Sequence, residues 1–191
     1  MTLGAQLLAK ALEGDMDGCK KLLALGANVK FRDGQGYTPL HAGANYGHLD
    51  LCKLLISHGS RVDAPDKYGD TPLHDSAYLG AVETSMLLLQ HGHPVDVNDK
   101  DGHSPLFTAL KNGRARACLL LLEHGANSDD IQLLLAEGDY TAIHPECVAA
   151  VKAWIAVQTA RAAVAELSSS AIHPEIGSQC SFPRHGQKAR P

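Results

Sequence analysis

The sequence predicts an all-α solenoid: short antiparallel helix pairs, joined by hairpin-like turns and stacked one on the next. Three observations carry this. A period of 33 residues runs through the chain: Thr38, Thr71 and Ser104 share one register, followed by Pro39, Pro72 and Pro105 and by Leu40, Leu73 and Leu106. A fixed period of this length is the signature of a repeat architecture. Two glycine columns, Gly14, Gly47, Gly80, Gly113 and Gly26, Gly59, Gly92, Gly125, bracket a leucine column at Leu22, Leu55, Leu88 and Leu121. Hydrophobic residues make up 45% of the chain and aromatics only 5%, so Leu and Ala supply the core, and both favour helix.

The first copy, QLLAKALEGDMDGCKKLLALGANV, lacks the Thr-Pro start and carries Lys10 and Lys21 at columns apolar or buried elsewhere. Residues 1–32 therefore read as a solvent-facing N-terminal cap. The second copy, residues 33–65, opens its first helix at Thr38-Pro39. The third, residues 66–98, contains TPLHDSAYLG, which packs a hydroxyl, an imidazole and a carboxylate into five residues. That grouping would suit a catalytic site, but it also explains itself as a helix start. Thr71 can cap the helix by accepting from a backbone N–H two or three residues on. Pro72 then occupies the first helical position, where its missing donor costs nothing. The fourth copy, residues 99–129, has Ser104 as cap and Phe107 in place of the histidine. Glycine at each helix end supplies the left-handed φ that stops a helix cheaply. No single unit buries its own apolar face, so neighbours stack.

Register is lost after Ser128. Residues 130–167 read as a degenerate C-terminal cap of two helices, a short one from about Asp130 and a longer one opening at Pro145. Val148, Val151, Trp154 and Ile155 give the longer helix an apolar stripe. Residues 168–191 are polar, unpatterned and rich in Ser, Pro and Gly, and are predicted to be disordered.

The pieces DGQGYTPLHAGANYGHLDLCKLLISHGSRVDAP and DKYGDTPLHDSAYLGAVETSMLLLQHGHPVDVN resemble ankyrin repeats closely. DKDGHSPLFTALKNGRARACLLLLEHGANS is similar, and the resemblance covers roughly residues 3 to 130. It implies that His41 and His74 make hydrogen bonds tying neighbouring units, and that His48 fills a Gly-His position. Asp75 falls where the family tolerates any residue. It further implies that a concave face, built from the turn tips and the exposed side of each first helix, binds other proteins. Four of the five tyrosines occupy the positions this arrangement leaves free: Tyr37, Tyr46, Tyr68 and Tyr78. Tyrosine suits binding hot spots because it offers a large rigid area with a polar tip. Arg32, Lys67, Asp70, Leu79, Lys100, Asp101, His103 and Lys111 form a mixed rim around them.

The implied function is a non-enzymatic protein–protein interaction module, an adaptor or inhibitor acting as a monomer on one or more partner proteins. The alternative is a regulatory or targeting domain beside an enzymatic or nucleic-acid-binding domain of a longer chain or complex; the Met1 start favours the first. A net charge of −4 speaks against a general nucleic-acid binder. No apolar run approaches the roughly 18 residues that span a bilayer, and the N-terminus lacks the features of a signal peptide. The expected setting is the cytoplasm, the nucleus or both.

Neither a cofactor, a metal site nor a small-molecule substrate is expected. His58, His91 and His124 recur at the ends of the second helices, where a ring N–H satisfies leftover carbonyls. Only His91 with His93 looks chelate-like, and no third ligand with zinc spacing accompanies them. Cys19, Cys52 and Cys118 share a column with Ser85. Stacked units stand too far apart for a disulfide, whose Cα atoms usually lie within about 7 Å, so these read as small core residues in a reducing compartment. Cys180, in the tail, is the one expected to react. Arg114 and Arg116 read as a solvated edge. No nucleophile–base pair or phosphate-binding glycine loop stands outside the repeat columns, so no catalytic residue is expected.

Overall fold

A computed structural model describes residues 1–128 and 144–170, with residues 166–170 defined by backbone alone. The expected short helix near Asp130, the tail 171–191 and Cys180 lie outside the described residues. Four helix pairs succeed one another: α1 (Leu3–Glu13) with α2 (Met16–Ala24), α3 (Pro39–Asn45) with α4 (Leu49–Ser57), α5 (Pro72–Leu79) with α6 (Val82–Gln90), and α7 (Pro105–Lys111) with α8 (Ala115–Glu123). A longer helix, α9 (Pro145–Ser170), closes the described chain. No strand occurs among the described residues. The first helices stack α1 on α3, α3 on α5 and α5 on α7, while α4, α6 and α8 form a second, parallel row.

Each turn tip is built around one aspartate. Asp33 Oδ1 accepts from the N–H groups of Gln35 and Tyr37, Asp66 Oδ1 from Tyr68 and Asp70, and Asp99 Oδ1 from Asp101 and His103, all at 2.7–3.0 Å. The tips are also bonded to one another. Lys67 N–H donates to the Gln35 carbonyl at 2.7 Å, and Lys100 N–H to the Tyr68 carbonyl at 2.8 Å. Gly69 is required here twice over. Its φ is +92°, and a Cβ would lie 2.9 Å from the Lys100 nitrogen.

The core is leucine, alanine and cysteine: Leu7, Leu40, Leu55, Leu73, Leu88, Leu106 and Leu121 are fully buried. Cys19, Cys52 and Cys118 are fully buried too, and Ser85 replaces the thiol by a hydrogen bond to the Ser76 hydroxyl at 2.8 Å. Cys147, outside that column, brings its sulfur within 3.8 Å of Cys118; the column itself did not foretell this contact. All four described cysteines are free.

The first repeat lacks the Thr-Pro start, as expected, and is capped instead by Thr2, whose Oγ1 accepts from Ala5 N–H at 3.3 Å, out of register with the later copies. Two expectations about the other end need correction. Helix α9 runs to Ser170, through serines assigned to the tail. Its buried stripe near the start is Cys147 and Val151, with Val148, Trp154 and Ile155 half-buried. Residues 145–165 of α9 are also long and apolar enough to cross a membrane by length and composition, with mean hydropathy 1.3. Scattered alanines raise the mean without any unbroken run of large apolar side chains. The described chain divides into two units, with the boundary between Trp154 and Ile155. All four repeats lie in the first.

Candidate protein-binding face

The helix starts come first, because they position everything else. In the second repeat Thr38 Oγ1 accepts from His41 N–H at 3.3 Å, and Thr38 N–H donates to His41 Nδ1 at 3.2 Å. Because Nδ1 accepts, the ring proton resides on Nε2, which donates to the Asp70 carbonyl of the next tip at 3.2 Å. His74 repeats the arrangement: Thr71 N–H donates to its Nδ1 at 3.1 Å, and its Nε2 donates to the His103 carbonyl at 3.1 Å. Each imidazole thus closes its own helix start and fastens the following tip. Burial holds all three central imidazoles neutral: it pushes His41 down to about 4, and lowers His74 and His93 as well.

Thr71 departs from the simple cap. It stands at the N-cap position, but its hydroxyl is engaged by His74 Nδ1 and His93 Nε2, both at 2.9 Å. His93 is buried and also bonded to the Pro94 carbonyl through Nδ1. His91 Nδ1 donates to the Leu87 carbonyl, as His58 and His124 do to Leu54 and Leu120, all at 2.9 Å. The chelate-like pair is therefore engaged in separate hydrogen bonds.

Of the predicted surface residues, one group gathers at the ends of the first helices. Tyr46, Tyr78 and Leu79 are exposed, at 55%, 53% and 37%. Tyr46 stacks against His48 with centroids 6.0 Å apart, and Leu79 packs over Gly47. Tyr37 differs: it is half-buried, 5.0 Å from the His41 ring, with its hydroxyl beside Asn45 and Asp75. Burial, and then the Asp75 charge, pushes that hydroxyl well above the usual phenol range. It is a wall of the face rather than a free anchor. Lys111, one repeat on from Tyr78, is exposed.

A second group occupies the tips. Tyr68 is exposed and carries the Lys67 ammonium 4.6 Å from its ring centroid. The Arg32 guanidinium donates to the Pro65 carbonyl. Lys100 and Asp101 are exposed, whereas Asp70 is half-buried and its carboxyl is raised, first by burial. His103 stacks on Phe107, with centroids 4.6 Å apart, and lies 3.4 Å from Asp99 Oδ2. Asp99, Asp101 and His103 bring one ligand atom each within 4.8 Å of one another. Sequence reasoning placed two of them on the rim without seeing this set, because the turn, not the spacing, closes it. Such exposed acidic groups commonly stand this way with no ion.

Two residues behave unlike their sequence expectation. Arg114 is exposed, as a solvated edge would be, yet it is also a link: its side chain lies across Gly80, and Nε donates to the Tyr78 carbonyl at 2.9 Å, joining the third and fourth repeats. At Gly80, φ is +83° and a Cβ would lie 2.9 Å from the arginine Cδ, so glycine leaves the arginine its path. Asp75, assigned to a tolerant position, has its Oδ2 sealed from solvent with no hydrogen-bond partner among the described residues.

No curated protein matches the chain. Residues 7–101 and 62–132 match the family model described as ankyrin repeats (3 copies), together more than half of the sequence. Repeats of this kind are in general protein–protein interaction modules and typically lack enzymatic activity of their own. With its period, its paired helices and its histidine-fastened tips, the chain belongs to the ankyrin repeat family.

Proposed function

We propose that the chain is a non-enzymatic adaptor or inhibitor that binds a partner protein through the tyrosine-rich face of its second and third repeats. The observation that carries this reading is the exposure of Tyr46, Tyr78 and Leu79 side by side, in a chain with only five tyrosines, three phenylalanines and one tryptophan. Large rigid side chains held on helix ends lose little entropy on binding, which is why such clusters concentrate interface energy. The tip residues Lys67, Tyr68, Lys100 and Asp101 would then set register and on-rate. We read the chain as acting as a monomer in the cytoplasm or nucleus, a setting that suits the four free thiols buried among the described residues. No nucleic acid, membrane or small-molecule substrate enters this reading.

The test is affinity capture followed by titration of the captured protein. Replacing Tyr46 and Tyr78 together by Ala is expected to weaken binding by about 2 kcal/mol or more, the scale of hot-spot truncation. Arg116, exposed and sharing a groove with Leu79 but not with the two tyrosines, is the comparison; Arg116→Ala should change affinity by less than about 1 kcal/mol. Arg114 is unsuitable because it holds the Tyr78 carbonyl. An arginine effect with no tyrosine effect would move the interface from the tyrosines to that groove.

A further inference from the structure

The junction between the first and second repeats differs from the two that follow. In the loops after the second helices, three columns hold Asp63, Pro65 and Pro94 at the second junction and Asp96, Asn98 and Asn127 at the third. At the first junction the same columns hold Lys30, Arg32 and Arg61. Three cations stand where the later copies are acidic or neutral.

A fourth column decides whether the space beneath these loops is filled. At the second junction His93 enters it and accepts from the Thr71 hydroxyl through Nε2 at 2.9 Å. The third junction is spanned by Asn127 N–H, which donates to Asp96 Oδ1 at 2.9 Å. At the first, the counterpart of His93 is Ser60, whose hydroxyl has no partner among the described residues. The Thr38 hydroxyl turns to His41 instead, and the imidazole's place is left open. What remains is a cavity of about 210 Å³ between Thr38, Ser60, Ala64 and the three cations. One water needs only about 10–15 Å³, so this space takes a group of several heavy atoms. Thr38 and Ala64 are buried, while Lys30, Arg32 and Arg61 are exposed, so the cavity closes inward and opens through its cations.

The charge at the mouth is not cancelled. Arg61 pairs with Asp63 at 2.7 Å through one edge of its guanidinium, which leaves Nη1 free of that pair. Arg32 directs one amino group to the Pro65 carbonyl and keeps its other donors. The described ion pairs, those of Lys10, Lys53, Arg61 and His103, leave Lys30 out. Three cations less one carboxylate leave a local charge of +2, and no carboxylate lines the cavity among the described residues.

We infer that this cavity binds the phosphate group of a phosphate monoester or of free phosphate. Such a group carries a charge of about −1.5 to −2 near pH 7 and so matches the mouth, whereas a carboxylate would leave one cation unmatched. Guanidinium forks fit phosphate oxygens through paired hydrogen bonds, and the Lys30 ammonium adds a flexible point charge. The site does not rest on the tyrosine face. Thr38 starts α3 and Tyr46 ends it, so the cavity and the exposed tyrosines stand at opposite ends of that helix.

The test is titration of the isotopically labelled full chain, followed by amide chemical shifts at constant ionic strength. The probes are blocked phosphoserine, inorganic phosphate and blocked aspartate. Saturable shifts at Lys30, Arg32, Thr38 and Arg61 are expected with both phosphates, and binding of the aspartate should be about tenfold weaker or worse. Tighter binding of phosphoserine than of phosphate ion supports a phosphorylated side chain of a partner protein as the source; equal binding supports a free phosphate. Ser60→His places the His93 arrangement at the first junction. It should melt no lower than the parent and lose the saturable shifts, although all three cations remain. Lys30→Gln combined with Arg32→Gln changes only exposed side chains and should weaken binding about tenfold or more, which keeps the site testable where Ser60→His fails to fold. Shifts that do not saturate, that blocked aspartate reproduces at equal concentration, or that survive either variant in folded form would overturn the site.

Discussion

The third and fourth repeats open in the same way, with a hydroxyl residue, Pro and Leu, yet their helix starts engage the rest of the stack by different means. In the third, His74 commits one ring nitrogen to its own helix start and the other to the His103 carbonyl of the next tip. In the fourth, Ser104 accepts from Phe107 N–H at 3.1 Å, and Phe107 has no polar atom to extend the chain of bonds. Its ring stacks on His103 instead. One helix start is a joint between repeats; the other only starts a helix. Identical turn chemistry at the local level thus carries unequal weight in the stack, and the difference lies in one side chain.

The largest test of that contrast is His74→Ala. It removes the bonds of both ring nitrogens, Nδ1 with Thr71 and Nε2 with the His103 carbonyl, and leaves buried partners unpaired, so it should cost about 2–3 kcal/mol. His41→Ala, with the same set, should cost a similar amount. Phe107→Ala, at a half-buried position, should cost roughly 1–2 kcal/mol, less than a core aromatic. Urea unfolding at unchanged m-value measures all three. An equal loss at position 107 would erase the distinction between joint and start.

Acid should act on the joints selectively. The pKa of His41 falls from 6.5 to about 4 on folding, so its neutral form is favoured by the fold. Its contribution is complete above the unfolded value and is lost as pH drops from about 6.5 toward 4. At 1.36 kcal/mol per unit this amounts to about 3 kcal/mol. His74 and His93, lowered by burial, add in the same direction. Asp75, raised, opposes them: its contribution is present in acid and lost as pH rises through and above the ordinary carboxylate range. The melting temperature should therefore fall between pH 7 and pH 4.5, and less steeply in His41→Gln. A ramp of equal slope in that variant would show that other groups dominate.

Most of the fold was legible because the repeat is written four times. Period, proline and glycine columns are local signals, and they dictate the stack. The histidines at 41, 58, 74, 91 and 124 were readable for the same reason. The features that escaped depend on unlike residues meeting across repeats. Arg114 reads as a surface charge until Gly80 leaves it a path to Tyr78. Cys147 lies outside the repeat columns yet meets Cys118. His93 looked like half of a chelate, but the packing turns it onto Thr71. The exposure of Tyr46 and Tyr78 was legible from position, whereas the burial of Tyr37 and of the Asp75 carboxyl are products of packing.

The hydroxyls give a smaller version of the same contrast. Thr71→Ala should cost about 2 kcal/mol, since its one hydroxyl proton goes to the buried His93 Nε2, which is left unpaired, while His74 Nδ1 keeps the Thr71 N–H. Ser104→Ala loses a single N-cap bond and should cost about 1 kcal/mol. Calorimetric melting of the two variants at pH 7 compares them directly. A larger loss at Ser104 would mean that capping, not the histidine network, sets the value of these positions.

The smallest effect has the opposite sign. Asp75→Ala deletes a buried, unpartnered oxygen and a charge set among Asp66 and Asp70, and alanine favours helix more than aspartate does. The loss of a favourable acidic residue in the first turn of α5 offsets part of this gain. The net expectation is a stabilisation of about 1 kcal/mol at pH 7, near the lower end of the cost of an unsatisfied buried group. That gain should vanish below about pH 4, where the carboxyl is neutral in both states. A destabilised Asp75→Ala at pH 7 would show that the carboxyl is compensated within the stack, through the neighbouring Tyr37 hydroxyl.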